Sequence, residues 1–235
     1  MKFSAKMLIY PYNQLNWLTL FLNILISNYK KLTNKHLSLI VFLIILFSTL
    51  SSFECSEEYK CPRNQFYLYP CRCLQGGYKG LNITCDNANL ATVSLALGNI
   101  KSPIENLIIN NSNIVRLFGP LFKDRIISSL TLKNTNLKDI DEESIAGLKA
   151  GIRELILDTN LLITLPPGIN VLMNLTKLAV INTPLLKEIK ASGLKRLVTL
   201  VELDLHNNSI IKIEPSSFSP LTVLGKILYL FFFFF

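Results

Sequence analysis

The chain has 235 residues, half of them hydrophobic and 17% charged, with 24 Lys and Arg against 16 Asp and Glu for a formal net charge of +8. Half of that excess precedes the main body: residues 1–54 carry five Lys and one Glu, and residues 55–235 carry nineteen basic and fifteen acidic side chains, +4 in each part. The rest is scattered instead of forming a basic stripe, which argues against a nucleic-acid partner. With two His and no Gly-rich phosphate loop, paired-His metal motif or nucleophile elbow, no enzyme and no cofactor are expected.

The first predicted element is a targeting segment within residues 1–55. Residues 37–50 are apolar apart from Ser38, Ser48 and Thr49; Lys30, Lys31, Lys35 and His36 precede them, and Ser51 and Ser52 follow. Fourteen residues suit the apolar centre of a signal peptide and fall short of the ~20 that a spanning helix needs. Cleavage is expected between Ser51 and Cys55, with an uncleaved signal anchor as the alternative. Residues 1–29 carry a second apolar stretch, 15–26, broken by Asn16 and Asn23. A start codon placed too early is the favoured account of it, and a two-segment hairpin anchor the other.

Residues 56–86 are predicted to form a cysteine-rich cap. The five cysteines are Cys55, Cys61, Cys71, Cys73 and Cys85, all before the regular part of the chain. A zinc site would call for Cys-x-x-Cys pairs or a nearby His, and neither is present. Cleavage after Cys55 would leave four cysteines and cleavage after Ser51 an odd thiol; any four of them allow three disulfide connectivities.

From residue 87 to 229 the chain repeats itself. The frame apolar-x-apolar-x-x-(Asn/Ser/Thr)-x-apolar recurs with anchors at Leu107, Leu130, Leu155, Leu178 and Leu203, after a degenerate first turn at Ile83. Successive anchors are 24, 23, 25, 23 and 25 residues apart, the spacing of one strand plus one return segment. This is the leucine-rich-repeat register. It predicts an α/β solenoid, a horseshoe with a parallel sheet on its concave side, because a single turn cannot bury its own apolar face.

Four slots recur in each turn, as in Leu155, Leu157, Asn160 and Leu162 or Leu178, Val180, Thr183 and Leu185. Leu117 with Phe122, Ile140 with Ile145 and Leu148, and Ile213 with Phe218 and Leu221 supply the convex packing. The polar slot takes a residue able to satisfy backbone groups where the chain leaves the strand. Asn160 and Asn208 can do so with an amide, and Ser112, Thr135 and Thr183 with a hydroxyl. Ala88 cannot, so the first turn needs another support, for which the cysteines are the candidate.

Cys61-Pro62, Cys71-x-Cys73 and Cys85, followed by these repeats, resemble the N-terminal disulfide cap and repeats of extracellular leucine-rich-repeat proteins, most closely arthropod chaoptin- and connectin-like members and the non-catalytic repeat subunit of a decapod luciferase. The resemblance implies pairing of Cys61 with Cys73 and of Cys71 with Cys85. It also implies protein recognition in cell adhesion or as a receptor ectodomain, at the cell surface or secreted. A secreted accessory subunit that scaffolds an enzyme is the alternative. Membrane attachment would come through a C-terminal region beyond this chain or through an uncleaved N-terminal anchor.

Stacking in register predicts three concave columns. The first reads Asn106, Ser129, Glu154, Lys177, Glu202; the second Ile108, Thr131, Ile156, Ala179, Asp204; the third Asn110, Lys133, Asp158, Ile181, His206. Glu154, Lys177 and Glu202 alternate in sign, as do Lys133 and Asp158, and are expected to pair across strands. Apolar Ile108, Ile156, Ala179 and Ile181 among them suggest a protein-binding patch. Lys133, Glu154, Ile156, Asp158, Lys177, Ile181, Glu202, Asp204 and His206 are therefore the candidate ligand residues. His206 beside Asp204 on an open surface lacks the enclosure that an acid–base or metal site requires.

Asn-x-Ser/Thr sequons fall at Asn82, Asn110, Asn174 and Asn207. A glycan on Asn110 would mask the early concave turns and push ligand contacts to the later ones. At the other end, five consecutive Phe at 231–235 follow the start of a further repeat at Leu221, Leu224, Ile227 and Tyr229. They are expected to mark a truncation within a homopolymer; residues 227–235 are too few to span a bilayer.

Overall fold

The computed structural model describes residues 58–228. The predicted targeting region, Cys55, Tyr229 and the poly-Phe tail lie outside the described residues.

Among the described residues twelve strands run in chain order: β1 (Cys71–Gln75), β2 (Leu81–Asp86), β3 (Ile104–Asn110), β4 (Arg116–Leu117), β5 (Ile127–Lys133), β6 (Asp139–Ile140), β7 (Glu154–Asp158), β8 (Lys177–Ile181), β9 (Glu188–Ile189), β10 (Glu202–Asp204), β11 (Lys212–Ile213) and β12 (Lys226–Leu228). Eight form one sheet in the order β1-β2-β3-β5-β7-β8-β10-β12. Every neighbouring pair from β2 onward is parallel, whereas β1 is antiparallel to β2 and closes the cap end. The chain is a leucine-rich-repeat solenoid with an N-terminal disulfide cap.

The anchors stand in one row, Ile83 opposite Leu107, then Leu130, Leu155, Leu178, Leu203 and Ile227. A second row reads Cys85, Ile109, Leu132, Leu157 and Val180. Alternate strand residues face opposite sides of a sheet, so both rows point inward, and from Ile83 through Leu203 they are buried. Ile227 in the last strand is 43% exposed, since no described strand lies beyond it.

The return segments cross the opposite side. They contain α1 (Leu90–Gly98), α2 (Glu142–Ala146), α3 (Ala191–Leu194) and a 3₁₀ segment at Pro167–Val171. Two short parallel sheets, β4 with β6 and β9 with β11, hold adjacent returns together. Asn89 starts α1 with a capping box: its Oδ1 accepts from the Thr92 amide at 3.0 Å, and Thr92 Oγ1 accepts from the Asn89 amide at 3.1 Å. Asp141 precedes α2 without capping it, because its carboxylate accepts from Arg116 Nη2 at 2.6 Å instead. Phe122, Ile145 and Leu148 fill the space between sheet and returns. Gly168 allows close stacking: a Cβ there would lie 2.2 Å from the Ile140 carbonyl oxygen.

One slot departs from the sequence register. Leu185 was expected inward, yet it is 42% exposed and Leu186 takes its place, fully buried. Thr183 O accepts from the Leu186 amide at 3.0 Å, closing a turn with Pro184 at its second position. Proline's fixed φ suits that position, and the turn accommodates the extra residue of this repeat.

The polar slot works as a ladder between turns. Asn160 Oδ1 accepts from Thr135 N at 3.2 Å, Thr135 Oγ1 at 2.8 Å and Leu137 N at 3.2 Å. Its Nδ2 donates to the carbonyls of Leu132 at 2.8 Å and Asp158 at 3.1 Å. Asn208 does the same for the last turns, accepting from Thr183 N at 2.8 Å and donating to Val180 O and Leu205 O. Ala88 is served from the next turn, since Ser112 Oγ accepts from its amide at 3.0 Å. The cap adds covalent support at the same end: Cys61 is bonded to Cys73, and Cys71 to Cys85 on the facing strand.

Candidate ligand-binding face

The outer face of the main sheet is built from the residues between the buried rows. Pairing places Asn82, Asn106, Ser129, Glu154, Lys177, Glu202 and Lys226 in a first column. Thr84, Ile108, Thr131, Ile156, Ala179, Asp204 and Leu228 form the second, and Asp86, Asn110, Lys133, Asp158 and Ile181 the third. His206 follows β10 at the end of the third column, where its carbonyl accepts from the Asn182 amide. β2 extends all three columns at the cap end, and β12 extends the first two at the other end.

One expected pair forms, and the Glu154, Lys177, Glu202 column pairs otherwise. Lys133 Nζ lies 3.1 Å from Asp158 Oδ2. Lys177 forms no ion pair with Glu154 or Glu202; Glu202 pairs with Lys226 at 3.0 Å, one turn further along the column. β12, in the further repeat that begins at Leu221, supplies a cation in register with Glu202, one position past the end of the expected column. Asp204 Oδ1 accepts from the His206 amide at 3.1 Å and lies 2.6 Å from its Nδ1. At the cap end Arg72 reaches Asp86 at 3.3 Å. Among the described residues no group of three or more His, Cys, Asp or Glu is arranged to hold a metal.

Asp158 is the most enclosed of the candidate charges, with its side chain 11% exposed. Burial, the largest single influence on it, pushes its pKa up. Hydrogen bonds from Asn182, Thr159 and Lys133, together with the Lys133 charge, outweigh burial and hold the carboxyl below the ordinary value. Asn182 Nδ2 donates to Oδ1 at 2.6 Å and Thr159 Oγ1 at 2.9 Å. Asn207 Nδ2 donates to Asn182 Oδ1 at 2.6 Å, so one chain of contacts links four turns. This carboxylate braces the sheet rim across neighbouring turns.

Ile108, Ile156 and Ile181 are half-buried on the outer face, whereas Ala179 is covered. Its single methyl stands between the larger Ile156 and Asp204 in its column. The apolar part of the face is thus Ile156 and Ile181 beside Lys177, with Ile108 two turns away.

Sequence reasoning missed the residue just before the polar slot. Asn87, Asn111, Asn134, Thr159, Asn182 and Asn207 all have φ between 47° and 55°. Asparagine tolerates this left-handed conformation better than other side chains with a Cβ. Its recurrence at one slot was the available signal. Several of these amides also bond across turns, as Asn134 Nδ2 does to Asn111 Oδ1 at 2.9 Å.

Of the four sequons, Asn82 and Asn110 lie on the outer sheet face in the first and third columns. Asn110 Oδ1 is buried without a partner. Asn174 is exposed, its Nδ2 donating to Lys149 O at 3.0 Å, and Asn207 sits on the rim.

No family model matches the chain, and no curated protein matches it. One similar solved structure is a crystal structure of a TLR13–ssRNA13 complex, 18% identical with a TM-score of 0.41, covering 62% of this chain and 28% of that one. Another is an internalin C2 from Listeria monocytogenes str. 4b F2365, 17% identical with a TM-score of 0.34, covering 63% of this chain and 80% of that one. This chain spans just over a quarter of the length of the first. At these scores the likenesses carry no argument, and the solenoid assignment stands on this chain's own repeat register and sheet.

Proposed function

We propose that the protein is an extracellular, non-catalytic recognition module that binds a protein ligand on the outer face of its sheet, in cell adhesion or as part of a receptor. The observation that carries this reading is the patch on β7 and β8, where half-buried Ile156 and Ile181 stand beside Lys177, which has no ion pair among the described residues. Charge around apolar side chains is the composition of a protein interface, in which apolar anchors supply affinity and rim charges supply specificity. The two disulfides suit an oxidising compartment. Glycans carried on Asn82 and Asn110 would cover the early turns and leave the later ones to the ligand.

The test is ligand capture by the secreted protein, followed by binding measurements on Lys177→Glu and Ile156→Lys. Both side chains are partly open on the outer face, so both variants should stay folded, with Lys177→Ala used in place of Lys177→Glu if a third carboxylate between Glu154 and Glu202 lowers the melting temperature. Each should weaken binding by about tenfold or more, the loss of roughly 1.4 kcal/mol. Unchanged affinity in both would remove the face from consideration.

A further inference from the structure

We infer that the first sugars of an N-linked glycan on Asn82 are seated in a polar cleft on the outer sheet face. The inference rests on the secretory reading proposed above. The cleft has a volume of about 300 Å³ and is lined by Lys79, Glu105, Asn106, Ser129, Arg153 and Glu154. Asn82 adjoins the lining residue Asn106: its Oδ1 accepts from Asn106 Nδ2 at 2.7 Å. Among the described residues Asn82 Nδ2, the atom that would carry the sugar, makes no hydrogen bond and is not a buried orphan.

The chemistry of the lining points to a hydroxyl-rich occupant. Elsewhere on this face the charges are mostly spent on one another, in Arg72–Asp86, Lys133–Asp158, Asp204–His206 and Glu202–Lys226. The cleft gathers two cations and two carboxylates, and none of the four has an ion pair among the described residues. Arg153 spends only Nη1, on the Ile152 carbonyl at 3.1 Å. Both donors and acceptors are thus left open to a neutral ligand that presents both, as sugar hydroxyls and an N-acetyl group do.

Distance and tethering select the sugar of Asn82 over a free one. Asn106, Ser129 and Glu154 are consecutive in the first column. Two strand spacings of ~4.8 Å separate the first from the last, about the length of two pyranose rings. An open polar groove holds a free saccharide weakly, but attachment next to a lining residue makes the contact intramolecular at an effective concentration of the order of millimolar. A sugar seated there covers Glu154 and leaves Ile156, Lys177 and Ile181 free for a protein ligand.

The experiment expresses the full chain in a secreting eukaryotic host and treats the native protein with peptide-N-glycosidase, following release at Asn82 and at exposed Asn174 by mass spectrometry. Asn82 should be released about tenfold more slowly, as expected when cleavage needs an open form populated about a tenth of the time. The difference should vanish in Glu105→Ala/Arg153→Ala, or in Lys79→Ala if the double variant melts early. Equal release from the native wild type overturns the inference, as does an empty Asn82 beside an occupied Asn174, or persistent protection in a variant that melts normally. A protein secreted with all four sequons empty also overturns it and leaves the secretory reading standing. A chain that never enters the secretory pathway defeats the secretory reading itself.

Discussion

Replacing Asn160 by Ala isolates the cross-turn ladder. The side chain is 2% exposed and its amide makes five hydrogen bonds. Removal strands two backbone donors, at Thr135 and Leu137, and withdraws a donor from two backbone acceptors, at Leu132 and Asp158. Thr135, Leu137 and Leu132 are fully buried, so water cannot replace the lost partners without opening the turn. Each stranded buried group costs about 1–3 kcal/mol. Because these groups and the Thr135 hydroxyl share one side chain, the Asp158 carbonyl keeps the Asn134 amide and the turn relaxes as a unit, the total should come to ~3–5 kcal/mol, below the simple sum. The assay is urea unfolding with native-state hydrogen exchange. Asn160→Ala should lower the midpoint and expose the Thr135 and Leu137 amides before those of the cap. Asn208→Ala should cost less, since that residue is only half-buried and makes three such bonds. A loss under about 1 kcal/mol for Asn160→Ala, or a larger loss for Asn208→Ala, would refute the ladder as a main support.

Opening the Cys71–Cys85 bond by Cys71→Ser/Cys85→Ser, which frees a loop of 14 residues, should cost about 3 kcal/mol and loosen the cap end first, as read by thermal melting and hydrogen exchange. Gly168→Ala pushes a Cβ to 2.2 Å from the Ile140 oxygen; displacement of the stacked returns should cost about 1–3 kcal/mol in urea, and an unchanged midpoint would show that the returns yield freely. The Asp158 carboxyl is held below its ordinary pKa, so its contribution to stability is complete above the unfolded value of about 4 and is lost as pH falls through the folded value. Asp158→Asn should accordingly flatten the acid limb of the stability–pH curve below about pH 4, and a limb as steep as wild type would assign acid sensitivity to other carboxylates.

Several features were readable one residue at a time. The anchors Ile83, Leu107, Leu130, Leu155, Leu178 and Leu203 repeat at nearly constant spacing, and parallel strands keep that spacing as a straight buried row. The polar slot was legible for the same reason, because Asn160 and Asn208 recur at the strand exit where backbone groups need partners. The left-handed Asn slot was equally periodic, but its meaning is conformational and shows only once φ is known.

What the sequence determined by itself is therefore whatever depends on chain period: the solenoid, its inward rows, the return packing and the placement of the cysteines ahead of the first turn. Tertiary structure alone decided the contacts between turns, which lie about 24 residues apart in sequence but about one strand spacing apart in space. It gave Glu202 to Lys226 instead of Lys177, tied Asp158 to Asn182 of the next turn, covered Ala179, and passed the inward slot from Leu185 to Leu186. Each outcome depends on side-chain reach and on one extra residue in a loop. A periodic reading averages over both, and neither has an expression in the chain until the turns are stacked.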